Sequence, residues 1–131
     1  MILVDTSIWI DLLNQRRRRV ISDDDKVQFR TCGPIVQEVF QGLRPGSASD
    51  EFRVQFLAIP LLCDPIPLSL YLSAAEIYRE GRRRGITVRS PVDCLIAAIA
   101  VHEAVPIWHR DRDFDAIARY TPLRCVHAIS R

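Results

Sequence analysis

Lysine is almost missing from this 131-residue chain: Lys26 stands alone among 18 basic residues, and the other 17 are arginine. A phosphate-receiving signalling domain needs a lysine after a late strand, so that class is excluded. Histidine is also scarce, at three residues, and no pair is suitably placed for a zinc hydrolase. The four cysteines, Cys32, Cys63, Cys94 and Cys125, form no C-x-x-C pair, which excludes a zinc ribbon or a thioredoxin-type motif. They recur every 31 residues, yet their neighbours do not match, so the interval marks no repeat. Free buried thiols in a reducing cytosol are the expectation. No apolar run approaches the ~20 residues that span a bilayer. No basic segment followed by a long apolar run opens the chain, so no signal peptide is read. A cytoplasmic protein away from membranes is expected.

About half of the chain (48%) is apolar, enough for one core, and a single domain over 1–131 is expected. The net charge of +2 is small, but arginine makes forked hydrogen bonds to phosphate, so the bias suits a polyanion partner. A GC-rich genome would give the same usage.

Along the chain, apolar strands and amphipathic helices alternate. Met1 to Val4 reads as a buried strand stopping at Asp5, followed by a cap at Thr6 or Ser7 and a helix carrying Ile8, Trp9, Leu12 and Leu13. Arg16 to Arg19 and Asp23 to Asp25 read as a solvated connection. Val27 to Cys32 suggests a second strand, and Gly33-Pro34 opens a helix through Leu43. A third helix is expected over Ala48 to Leu62, with Pro60, Pro65 and Pro67 leaving a short strand or extended piece after it. Leu68 to Arg84 has helical spacing, and Ser90-Pro91 starts another helix running to about Ala104. Val105 to Trp108 reads as a strand, Asp113 to Tyr120 as a short helix, and Arg124 to Ala128 as a last strand. This alternation predicts an α/β fold, a parallel sheet with helices on both faces, and in such sheets ligands bind outside the carboxyl ends of the strands.

Four acids fall where such a cleft would form. Asp5 and Asp111 follow strands, Asp93 sits in the first turn of the Pro91 helix, and Glu38 lies on an otherwise apolar helix. Each has a plain structural role available. Asp5 can cap a helix, Asp93 suits the helix dipole, and Glu38 can face solvent. Asp113 can cap the helix that follows it, leaving Asp111 free to point at a site. Several carboxylates brought together repel one another, and a hard cation such as Mg²⁺ or Mn²⁺ resolves that repulsion. His109 reads as a packing or supporting residue rather than a ligand.

The run Ile2-Leu3-Val4-Asp5-Thr6-Ser7, the Glu38 helix, Ser90-Pro91-Val92-Asp93-Cys94-Leu95-Ile96-Ala97-Ala98 and Arg110-Asp111-Arg112-Asp113-Phe114 together resemble the PIN domain. Their order and spacing are similar to bacterial VapC-type toxins of toxin–antitoxin pairs. The resemblance implies a three-layer α/β/α sandwich with a central parallel sheet and a metal-dependent ribonuclease. It also implies a homodimer inhibited by a small cognate antitoxin. It assigns Asp5, Glu38, Asp93 and Asp111 to an acidic quartet, with Thr6 supporting the first aspartate and Asp113 the rival for the fourth place. Many members carry threonine where His109 stands. The implied chemistry is hydrolysis of RNA by a metal-activated water, leaving a 5′-phosphate and a 3′-hydroxyl. Arg82, Arg83, Arg84, Arg89, Arg110 and Arg112 are candidates for holding the RNA backbone, and Arg82 to Arg84 equally fit a solvated helix end. Structured RNA such as tRNA or rRNA, cut in single-stranded segments, is the implied substrate.

Other readings remain at this point. A haloacid-dehalogenase-type phosphatase would need a second aspartate where Ser7 stands. A housekeeping PIN nuclease, or a non-catalytic RNA-binding or assembly module on the same fold, keeps every feature above except the toxin role or the catalysis.

Overall fold

The structure is a computed structural model and describes residues 1–13 and 23–127. Among these, β1 (Ile2–Val4), β2 (Phe29–Arg30), β3 (Ile107–Trp108) and β4 (Cys125–Val126) form one parallel sheet in the order β2-β1-β3-β4. Leu3, Val4, Phe29, Ile107 and Trp108 are buried, as expected of parallel strands covered on both faces. Seven helices among the described residues surround them: α1 (Thr6–Leu13), α2 (Asp23–Lys26), α3 (Gly33–Gln41), α4 (Ser47–Leu57), α5 (Leu68–Arg83), α6 (Pro91–Glu103) and α7 (Arg112–Ala118). The result is a three-layer α/β/α sandwich.

The sheet order places the site. The chain leaves β1 for β2 on one side and leaves β3 for β4 on the other, so β1 and β3 flank a topological switch point. Open parallel sheets form their crevice there, beyond the strands' carboxyl ends. Val4 pairs with Trp108, which sets the chain after β1 beside the chain after β3. The Asp5 N–H donates to the Trp108 carbonyl at 3.0 Å and extends that pairing by one residue.

Helix α6 carries the core. Cys94, Ile96, Ala97, Ala98, Ile99 and Ala100 are all buried, as befits a helix that is apolar around most of its circumference. α5 packs along α6, and Gly81 lets α5 approach the segment after α7: a Cβ there would stand 2.5 Å from the Tyr120 hydroxyl. The same core extends to Trp9, which is edge-on to Phe29 and Phe56 at ring separations of 5.9 and 5.1 Å.

Several boundaries differ from the sequence reading. α4 stops at Leu57 rather than Leu62, because Pro60 cannot donate a helical hydrogen bond and disfavours helix at Ile59. Leu61 instead forms a parallel bridge with Thr31. β2 is only Phe29–Arg30, and α7 ends at Ala118 rather than Tyr120. Asp23 to Lys26 form the short helix α2, while Arg16 to Arg19 and Ala128 lie outside the described residues. The cysteines are free as expected; Cys32 and Cys94 are buried, whereas Cys63 and Cys125 are only half-buried. No described helix is long and apolar enough to cross a membrane.

Candidate active site

Asp5 is buried where β1 ends. Its Oδ2 accepts from the Ser7 N–H at 3.1 Å and from the Ser7 hydroxyl at 2.6 Å, so Asp5 itself caps α1 while facing the cleft. The Ser7 hydroxyl also accepts the Arg110 N–H at 3.0 Å, which ties the end of β1 to the segment after β3. Glu38 is the sixth residue of α3, in its second turn. Its Oε1 accepts from the Thr6 hydroxyl at 3.2 Å, which draws Glu38 toward Asp5. Asp93 is buried in the first turn of α6.

The segment after β3 reverses one expectation. Asp111, not Asp113, caps α7: its Oδ1 accepts from the Asp113 N–H at 2.9 Å. Asp113 is instead buried and accepts the Arg89 N–H at 3.1 Å. The cap does not remove Asp111 from the cleft. Carboxylate oxygens of Asp93, Asp111 and Asp113 lie within 4.8 Å of one another.

Electrostatics join the remaining acids to this group. Burial, then the charges of Asp111 and Asp5, push Asp93 up to about 8. Burial raises Asp5 as well, against the hydrogen bonds from Ser7, and the Asp111 charge adds to it. Burial and the Asp5 charge raise Glu38, with Thr6 opposing. Asp5, Glu38, Asp93 and Asp111 therefore share one field, in which each ionised carboxylate makes the next harder to ionise. Such a set is short of positive charge.

His109 is buried beneath the site, and its Nδ1 accepts the Asp111 N–H at 2.9 Å. Burial lowers its pKa. Its Nε2 is 3.3 Å from Asp115, too poorly aligned for a hydrogen bond. His109, Asp115 and Cys125 also come within ligating distance of one another, but metal at Nε2 would require a proton on Nδ1, which already faces the Asp111 N–H. His109 is therefore a support for the Asp111 backbone.

The arginines divide sharply. Arg83 and Arg84 pair with Glu76 and Glu80 on their own helix, and the Arg82 guanidinium lies over the Tyr78 ring. These contacts fit the solvated helix end. Arg110 pairs with Asp11. Arg89 reaches the acids, 3.6 Å from both Asp111 and Asp113. Arg112 is exposed at the start of α7. Sequence reading missed Ser7 as the residue that holds Asp5; its signal was the Asp-Thr-Ser spacing, which lets a cap residue bond two positions on.

Residues 2–120 match the family model of the PIN domain. The chain belongs to the PIN-domain family. It is 37% identical to the VapC ribonuclease Mb1587 of Mycobacterium bovis, over 96% of this chain and 98% of that protein. This PIN domain also superposes on VapBC-5 of the VapBC toxin–antitoxin family from Mycobacterium tuberculosis, at a TM-score of 0.68 and 20% identity, covering 96% of this chain and 97% of that one. VapBC-1 from nontypeable Haemophilus influenzae gives 0.69 at 16% identity, covering 96% and 97%. Both structures show the shared fold.

The donor set fits a hard divalent cation. It is all carboxylate oxygen, Asp93, Asp111 and Asp113 approach within 4.8 Å of one another, and burial with mutual repulsion disfavours the ionised, cation-free arrangement at Asp93. In this PIN domain, Asp93, Asp111 and Asp113 are the acids whose oxygens come together, and Asp5 and Glu38 are coupled to them through their charges.

Proposed function

We propose that this PIN domain is the toxin of a toxin–antitoxin pair and acts as an endoribonuclease dependent on Mg²⁺ or Mn²⁺. The carrying observation is the acidic set of buried Asp5 and Asp93 with half-buried Glu38 and Asp111, in which burial, then the charges of Asp111 and Asp5, lift Asp93 to about 8. The electrostatic demand that holds a proton on Asp93 is the demand a divalent cation satisfies. The likeness to a VapC ribonuclease over nearly the whole chain supports RNA as substrate, and the VapBC neighbours support a small cognate antitoxin as partner.

In this reading, Asp93 and Asp111 hold the cation, with Asp5, Glu38 and Asp113 within reach as ligands or as acceptors for its water. When bound, the cation lowers the pKa of an attacking water and offsets charge on the phosphate. The chain supplies the positioning. Ser7 fixes Asp5, Thr6 fixes Glu38, and His109 fixes the Asp111 main chain. Hydrolysis leaves a 5′-phosphate and a 3′-hydroxyl without use of the RNA 2′-hydroxyl as nucleophile. A single-stranded segment of tRNA or rRNA is the substrate class, a homodimer the working form and the cytoplasm the location.

The test is RNA cleavage by the purified protein freed of any antitoxin. Cleavage is expected with Mg²⁺ or Mn²⁺ and is lost with chelator, and Asp5→Asn and Asp93→Asn abolish it while the fold persists. Variants that cut as well as the parent would overturn the assignment. Absence of cleavage by a folded, metal-loaded parent would leave a non-catalytic RNA-binding module as the better reading.

A further inference from the structure

Arg89 differs from every other described arginine in what it faces. Arg83 and Arg84 sit 2.7–2.8 Å from glutamates of their own helix, and Arg110 pairs with Asp11. Among the described residues, Arg89 alone pairs with the acidic cluster. Its Nη2 is 3.6 Å from Asp111 Oδ1, and its Nε is 3.6 Å from Asp113 Oδ2. Its main chain is held separately, by the N–H bond to Asp113 Oδ2 at 3.1 Å.

The two attachments are unequal. The main-chain bond has normal hydrogen-bond length and ends on a buried carboxylate. The guanidinium lies well beyond the roughly 2.7–2.9 Å of a charge-assisted bond, and the side chain is 61% exposed. Pairs of this kind hold weakly. Arg89 is thus anchored by its backbone and loose at its head, at the mouth of the cleft just before α6 and Asp93. Its planar fork matches a phosphodiester as well as it matches a carboxylate.

We propose that Arg89 is a movable counter-ion of the acidic cluster: it competes with a divalent cation for Asp111 and Asp113, and its guanidinium transfers to the RNA phosphodiester. The second half rests on the ribonuclease reading; the first does not. Two positive charges cannot share the same carboxylates without cost, so the guanidinium is displaced as the cation takes them. A phosphodiester entering the cleft then offers it a new anion within a side chain's reach.

The experiment measures Mn²⁺ affinity by calorimetry and RNA cleavage in parallel, on the full chain and on Arg89→Ala and Arg89→Lys. For Arg89→Ala, Mn²⁺ binding is expected to tighten about threefold to tenfold. Its kcat/KM at saturating Mn²⁺ is expected to fall about tenfold to a hundredfold. Arg89→Lys keeps Mn²⁺ affinity near the parent's, since the charge remains, and cuts less well, since the fork is gone. A residue that only braces the fold would weaken both readouts together. Unchanged or weaker Mn²⁺ binding in a folded Arg89→Ala protein overturns the counter-ion role. Tighter binding with unchanged kcat/KM overturns the transfer to phosphate. If the parent cuts no RNA, the proposed function falls, while the Mn²⁺ measurements still decide the competition.

Discussion

Asp93→Asn is expected to stabilise the chelated protein at pH 8 while removing its activity. Asp93 is buried in the first turn of α6, and burial with the charges of Asp111 and Asp5 lifts it from 3.8 to about 8. At about 1.4 kcal/mol per pKa unit, that span corresponds to roughly 5–6 kcal/mol of disfavoured ionisation. The repulsion is shared with Asp111 and Asp5, so neutralising Asp93 alone recovers part of it, about 2–3 kcal/mol. For a chain of this length that is a Tm rise of roughly 10 °C. The sign follows from proton binding. Between about pH 4 and pH 8 the folded state holds a proton that the unfolded chain releases, so the parent loses stability as pH rises through that window. The advantage of Asp93→Asn is therefore largest at pH 8 and fades as pH falls toward 4, vanishing below the unfolded value of 3.8, where both states are protonated. Thermal unfolding in chelator at a series of pH values measures this. A variant less stable than the parent at pH 8, or a gain indifferent to pH, would refute the claim that Asp93 carries electrostatic strain. Excess Mn²⁺ should raise the parent's Tm more than the variant's, because binding to the folded state alone stabilises it.

Three further substitutions probe the supports. Ser7→Ala removes the 2.6 Å bond to Asp5 and the acceptor for the Arg110 N–H; it should cost about 1–3 kcal/mol by denaturant unfolding and slow RNA cleavage. Thr6→Val removes the hydroxyl that holds Glu38; kcat/KM for RNA should fall about tenfold, with no more than about 1 kcal/mol lost in stability. Gly81→Ala would place a methyl 2.5 Å from the Tyr120 hydroxyl and 3.1 Å from the Ile86 carbonyl, and should destabilise by about 1–3 kcal/mol without changing Mn²⁺ affinity.

Long, strongly patterned segments were legible in the sequence. The Pro91 helix is apolar nearly all round, so its burial and the place of Asp93 in its first turn followed from pattern alone. Asp5 at the end of β1 was readable for the same reason, because a strand that stops at a carboxylate in an α/β chain ends at the cleft. The short pieces were less legible. Two-residue strands such as β2 and β3 are set by pairing with β1 rather than by their own composition, so their extents were overdrawn. The exchange of roles between Asp111 and Asp113 was hidden because both aspartates suit a helix N-terminus; the choice turned on Arg89, which is distant in sequence and brings its N–H to Asp113. Glu38 had no local signal, since its placement depends on the Thr6 hydroxyl across the cleft.

The most direct measurement is anomalous scattering from crystals of the protein grown with Mn²⁺. The expected result is a manganese peak bound by carboxylate oxygens of Asp93 and Asp111, lost in Asp93→Asn crystals. A peak confined to another cluster, such as Cys63, His102 and Glu103, or none at saturating Mn²⁺, would contradict the assignment of the acidic cleft as the metal centre.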